Sequence, residues 1–118
     1  MFKLLQHLIA FKYACKLNHW QTDSYSEHLL FDRLAEGIDN SADDIAEKYF
    51  MAADDKKTLK PELLNPKMIN KDLVKMCHDI IEHLEELQND GTLDKGMDSL
   101  LSGIEEDFLT KLALAKMV

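Results

Sequence analysis

Glycine and proline are scarce in this chain, at four and two of 118 residues. These are the residues a helix interior tolerates least, so their scarcity leaves room for long uninterrupted helices. Cysteine is limited to Cys15 and Cys77, both inside helical patterns. Two isolated thiols make no disulfide framework and point to reduced cysteines in a cytoplasmic compartment. Positive charge is outweighed, with 14 Lys and Arg against 22 Asp and Glu and a net charge of −8. That balance argues against nucleic acid as a partner and is compatible with attracting cations. No apolar run approaches transmembrane length, so no membrane partner is expected. The opening MFKLLQHLIAFKYA looks faintly like a signal peptide, but His7 and Lys12 interrupt it and no small-residue cleavage site follows, so it is read as a first helix. A Gly-rich phosphate loop, a nucleophile elbow and Cys-x-x-Cys are all missing. So is Glu-x-x-His, which an intrachain di-iron centre of a helical bundle would need.

What is present suits one soluble helical domain spanning 1–118, with 46% hydrophobic and 31% charged residues. A first helix is predicted over about residues 2–20, with Leu4, Leu8, Phe11 and Cys15 as its stripe. Thr22 and Asp23 make a turn, and Ser24 with Glu27 reads as a capping box. A second helix is expected from there to about residue 52, with Gly37, Asn40 and Ser41 weakening its middle; a break near Asn40 is the alternative. Residues 53–70 hold Asp54, Asp55 and both prolines and form the connection, with one short turn around residues 62–64. A third helix should run from about residue 71, capped by Asn70, to Gly91. Thr92 could cap a fourth, carrying Leu93, Met97, Leu101, Ile104, Phe108 and Leu112. The fold class is all-α: a four-helix bundle with one long crossover between the second and third helices.

The chemistry concentrates in HWQTDSYSEHLLFDRLAEGIDNSADDIAE, residues 19–47. Viewed down one continuous helix at about 100° per residue, Asp32, Asp39, Asp43 and Glu47 fall within about 100° of His28. An apolar flank adjoins them. Pairs at i and i+4 occupy neighbouring turns of one face, and His28/Asp32 and Asp43/Glu47 are two such pairs, each able to share a metal ion. The two pairs are about 22 Å apart along one helix, too far to share an ion within one chain. Two antiparallel copies of the second helix, related by a two-fold axis, would bring the first pair of one chain to the second pair of the other. His19, across the short turn from His28, belongs to the first end. Against this stands the plainer reading of an acidic solvated helix face and a histidine that is merely structural.

The same stretch resembles the ferroxidase segment of the Dps-type miniferritins of the ferritin-like superfamily. The likeness rests on His19-Trp20 at the end of the first helix, His28-x3-Asp32, and Asp43-x3-Glu47 with Ile45-Ala46 before the Glu. It is also similar to short ferritin-like proteins of bacteriophages, which share the HWQT…SY.EH wording. The resemblance covers about residues 15–50 and implies a ferritin-like bundle. It implies a homodimer packing the second helices antiparallel, and a larger shell as a further step. His19, His28 and Asp32 of one subunit, with Asp43 and Glu47 of its mate, would bind and oxidise Fe(II), with hydrogen peroxide or dioxygen as oxidant; zinc or manganese could occupy the same donors. Trp20 matches the family's Trp beside the iron. The loop from His19 to His28 and the whole chain are shorter than in typical members, and the basic N-terminal arm that some members use on DNA is not expected, because the first helix starts at once. The rival reading is a metal-independent helical homodimer acting as an interaction module.

Other residues read more plainly. His78 and His83 are five apart and do not share a helix face. His7 is expected to be exposed or satisfied. Glu105, Glu106 and Asp107 read as a solvated run, and Asp39 as a reserve ligand.

Overall fold

Helix α1 (Phe2–Gln21) carries apolar residues on two opposite sides, with lysines between them. Leu4, Leu8, Phe11 and Cys15 are fully buried on its inner side, as the stripe requires. Its other side carries Ile9, Tyr13, Leu17 and Trp20, of which the last three are exposed. The computed structural model describes residues 1–54 and 56–117; Asp55, in the expected connection, and Val118, the last residue of the expected domain, lie outside the described residues.

After α1 the chain reverses through a tight polar turn. Ser24 Oγ accepts from the Glu27 amide at 3.3 Å, which is the expected N-cap. The other half of the capping box is relayed. Thr22 Oγ1 accepts from the Ser24 amide and donates to Glu27 Oε2 at 2.7 Å, so the carboxylate reaches the backbone through a hydroxyl.

The second helix is not one rod. It is α2 (Tyr25–Ala35) and α3 (Ile38–Ile45), followed by a π-helical stretch over Ala46–Met51. The break falls at Glu36 and Gly37, ahead of the Asn40 alternative, because it needs a left-handed residue. Gly37 sits at φ +81°, a conformation closed to most side chains, and Glu36 is extended. Asn40 and Ser41 remain in regular helix. The break frees the Glu36 carbonyl, and the buried Lys111 donates to it at 2.7 Å.

Helical structure also pervades the connection, as turns of 3-10 helix at Lys56–Thr58, Pro61–Leu64 and Pro66–Met68, where one short turn was expected. Each proline opens its turn, where its missing N–H costs nothing. The connection crosses the outer side of α1. Gln6 Nε2 donates to the Glu62 carbonyl at 2.8 Å, and Leu63, Leu64 and Ile69 lie by Ile9 and Tyr13.

Helix α4 (Leu73–Asn89) is capped by Asp72, whose carboxylate accepts from the Lys75 amide; Asn70, the expected cap, instead accepts from the Asp72 amide. Gly91, at φ +73°, marks its end as expected. Helix α5 (Lys95–Ala115) is capped by Asp94 at 2.7 Å rather than by Thr92, which donates to Asp90. A carboxylate two residues closer to the apolar run wins each time.

The structure is all-helical among the described residues. Helix α1 packs against α2/α3 and α4, and α5 closes the ring against both. Leu73 lies near Asn18 while His83 meets His7, so α4 runs antiparallel to α1. The core is continuous through all the helices. At its centre Phe11 and Phe108 meet edge to face at 5.1 Å. Burial of each ring contributes about 2–3 kcal/mol, and their mutual geometry about 0.5–1.5 kcal/mol.

Candidate metal centre

His19 ends α1 and His28 begins α2, so the tight turn between them brings the two imidazoles together. Their rings stack at 3.7 Å between centroids, 21° from parallel. His19 Nδ1 lies 2.6 Å from the His28 carbonyl and His28 Nδ1 lies 2.9 Å from the His19 carbonyl. A carbonyl oxygen only accepts, so each Nδ1 carries a proton. In the neutral tautomer this leaves each Nε2 with its lone pair. Metal-binding histidines are prepared in this way, the far ring nitrogen fixed by a backbone carbonyl.

Asp32 lies one turn along α2 from His28, but Lys16 of α1 holds it at 3.0 Å. The Lys16 ammonium keeps the Asp32 carboxyl below the usual carboxylate range, with smaller contributions from His19 and His28. Asp39 is more firmly engaged, with both oxygens 2.7 Å from Lys12. The reserve ligand is thus a partner of α1. Lys12, Lys16 and Arg33 alternate with Asp32, Glu36 and Asp39 along a cleft of about 580 Å3.

Asp43 and Glu47 stand exposed beyond the break, Asp43 on α3 and Glu47 in the π-helical stretch. Such stretches are rare and are frequently found at functional sites. Among the described residues no three His, Cys, Asp or Glu side chains converge as a metal-holding group. The chain brings His19 and His28 together and leaves Asp32 beside a lysine. It keeps Asp43 and Glu47 on a separate segment. Trp20 is two-thirds exposed next to this end.

Sequence reasoning missed two participants. Lys16 was not singled out, although its place four residues after Lys12 puts both lysines on the side of α1 that faces α2 and α3. His7 is neither exposed nor satisfied. Its Nδ1 is buried without a partner, as is that of His83, and the two rings meet at 5.8 Å. Nothing in the spacing of residues so far apart in the chain could show that pairing.

An all-helical domain with a prepared histidine pair at one end and carboxylates displayed along a broken helix is the class that the fold and site define. The chain belongs to a family of unknown function, DUF5856, whose model matches residues 19–111. No curated protein and no solved structure matches it.

Proposed function

We propose that this protein is a ferritin-like, Dps-type iron-binding protein that oxidises Fe(II) at a site shared between two copies of the chain. The observation that carries the reading is the reciprocal imidazole–carbonyl pair, which holds the Nε2 atoms of His19 and His28 ready as donors. The order of the helices supports it. The chain rises through α1 and descends through α2/α3. It then crosses over, descends again through α4 and rises through α5, as a bundle with one long crossover does.

In this reading His19, His28 and Asp32 of one chain bind the substrate Fe(II), and Asp43 and Glu47 of a two-fold mate complete its ligands. Carboxylates suit hard iron and imidazoles add borderline donors; zinc or manganese would fit the same set. Two Fe(II) ions give one electron each to hydrogen peroxide, which with two protons leaves as water; dioxygen is the alternative oxidant. Asp32 must first leave Lys16. An exposed ion pair of that kind is worth only about 0–1 kcal/mol, so a divalent ion can displace the lysine. The exposure of Asp43 and Glu47 on their own segment supports a role toward another chain.

The second reading, a helical homodimer acting as an interaction module without metal, has its own support. Tyr13, Leu17, Trp20, Tyr25 and Leu29 are all exposed on the α1–α2 hairpin, apolar surface that a second chain could cover.

One experiment separates the two. His28→Ala with Asp32→Ala removes one end of the shared site, and Asp43→Ala with Glu47→Ala removes the other. Either double variant should abolish Fe(II) oxidation while the dimer persists in light scattering. Mixing the two under exchange conditions should restore about one intact site per heterodimer. Unchanged oxidation in both variants sinks the ferroxidase reading and leaves the interaction module. With net charge −8, neither reading expects retardation of DNA in a mobility-shift assay.

A further inference from the structure

His7 of α1 and His83 of α4 face each other across the seam between these helices, with their rings nearly perpendicular at 82°. Both Nδ1 atoms are buried and neither has a hydrogen-bond partner. A buried polar atom without a partner is rare in a folded protein and calls for one from outside the chain, an ordered water or an ion. Here two such atoms belong to one pair of rings. The arrangement is the reverse of that at His19 and His28. There the carbonyls take the Nδ1 protons. Here no acceptor meets Nδ1, so the neutral rings keep their protons on Nε2 and leave the Nδ1 lone pairs inside.

The surroundings favour a cation. The pair borders a cleft of about 490 Å3 that is also lined by Asp79, Glu82 and Glu86 against a single Lys3. Asp79 also lines the adjoining hollow beside His7. It lies four residues before His83, one turn along the same face of α4. At present its carboxylate is 2.9 Å from Lys75 in an exposed ion pair. Burial holds both imidazoles below their ordinary pKa, which keeps them neutral and able to act as ligands.

The separation of the ring centroids is compatible with a shared ion. With metal–nitrogen bonds of about 2.0–2.1 Å, each ring centroid stands about 3.2 Å from the metal, and a tetrahedral angle then separates the centroids by about 5.2 Å. The observed 5.8 Å is within about half an ångström of that value.

We propose that His7 and His83 form a second metal site, distinct from the one at His19 and His28, which takes a borderline divalent transition ion such as Zn2+ through the two Nδ1 atoms and draws Asp79 away from Lys75 as third ligand. No three donors converge before the ion arrives, so the site is a two-imidazole clamp completed on binding. Two imidazoles and one carboxylate select zinc, copper(II) or nickel over magnesium or calcium. The ion would cross-link α1 to α4.

The test uses Zn2+ alone, titrated into the full chain carrying His19→Ala and His28→Ala, so that the two imidazoles of the proposed ferroxidase site play no part. One Zn2+ per chain should still bind. Adding His7→Gln or His83→Gln should weaken binding at least tenfold, Asp79→Asn less so, and Lys75→Ala should tighten it a few-fold by freeing Asp79. Affinity and stoichiometry unchanged by both glutamine variants overturn the proposal. Should those variants fail to fold, imidazole NMR signals of the unaltered protein decide. Zn2+ must shift the Nδ1 resonances of His7 and His83, and if it leaves them in place the site does not exist. Fe(II) oxidation should be indifferent to His7→Gln and His83→Gln, so failure here leaves the ferroxidase reading untouched.

Discussion

The two hairpins of this bundle are built to different standards of regularity. The back one, α4–α5, has two unbroken helices, each started by an aspartate that caps its first turn. The front one, α1 with α2/α3, contains a left-handed glycine, a helix break and a π-helical stretch. It also holds every donor proposed for iron. Regular helix needs no outside help once its apolar face is covered. A broken helix exposes backbone groups that something else must satisfy, and here the back hairpin supplies it. Lys111 of α5 reaches across the core to the carbonyl that the break at Glu36 releases. The irregular half can therefore present its side chains on two independent segments because the regular half braces the joint between them.

Removing the brace should have the largest effect. Lys111 is 1% exposed, and besides the Glu36 carbonyl its ammonium touches Asp107 at 3.3 Å. Lys111→Ala leaves the carbonyl unpaired, at about 1–3 kcal/mol, and opens a cavity where the methylene stem lay. Asp107 is half in solvent and can rehydrate. The expected loss is roughly 2–4 kcal/mol in urea unfolding. Lys111→Met keeps the stem but still leaves the carbonyl unpaired, so it should recover only the part of that loss that comes from the cavity. If Lys111→Ala unfolds at the same urea concentration as the parent, the brace does not exist and the front hairpin stands by itself.

The unbroken helices, α1 among them, were the legible part in their buried faces. The stripe through Leu4, Leu8, Phe11 and Cys15, the stop at Gly91 and the apolar face through Met97, Leu101, Ile104 and Phe108 follow from spacing, because one buried face per helix is all they encode. The caps were misplaced by two residues, at Asp72 and Asp94, since several side chains able to cap stood in a row and packing chose among them. The break was harder. Gly37, Asn40 and Ser41 all weaken a helix, and only the need for positive φ singles out the glycine. The candidate site was legible as a set of residue types and helical steps, but not in its contacts. The phase arithmetic that put Asp43 and Glu47 on one flank with His28 assumed a straight rod. The lysines that engage Asp32 and Asp39 come from α1, and the closure of the turn, rather than any motif, stacks His19 on His28.

One substitution made once in each hairpin should act with opposite sign. Gly37 has φ +81°, and an alanine there must either adopt a left-handed conformation or move the break. Gly37→Ala should lose about 1–2 kcal/mol. Gly103 lies in the middle of α5, exposed, and a Cβ added there meets nothing within 4 Å. Gly103→Ala should gain about 0.4–1 kcal/mol by restricting the unfolded chain and favouring helix. Midpoints of urea unfolding measure both. A Gly37→Ala protein as stable as the parent would mean that the break is optional and that the second helix can run straight.

The smallest expected effect is a difference of zero, and it asks whether the hairpins open separately. Cys15 belongs to the front hairpin and Cys77 to the back, and both are fully buried. Burial pushes each thiol up to about 12, with Lys111 pulling the other way in both cases and the neighbouring Cys77 adding to the effect at Cys15. A thiol that is protonated in the native state, and whose unfolded counterpart ionises near 9, contributes stability in full below that pH. The contribution is lost as pH rises from about 9 towards 12, so alkaline unfolding should set in within that window. At pH 8 neither thiol should react with a disulfide reagent until the core opens. Single-cysteine versions, made with Cys77→Ala or Cys15→Ala, should label at equal rates once corrected for their own stabilities, because the two thiols share one core with Lys111. Lys111→Ala should speed both by the same factor, tenfold for each 1.4 kcal/mol lost. Labelling of Cys15 well ahead of Cys77 would show the front hairpin peeling away first, and the brace would then be a contact the native ensemble can do without.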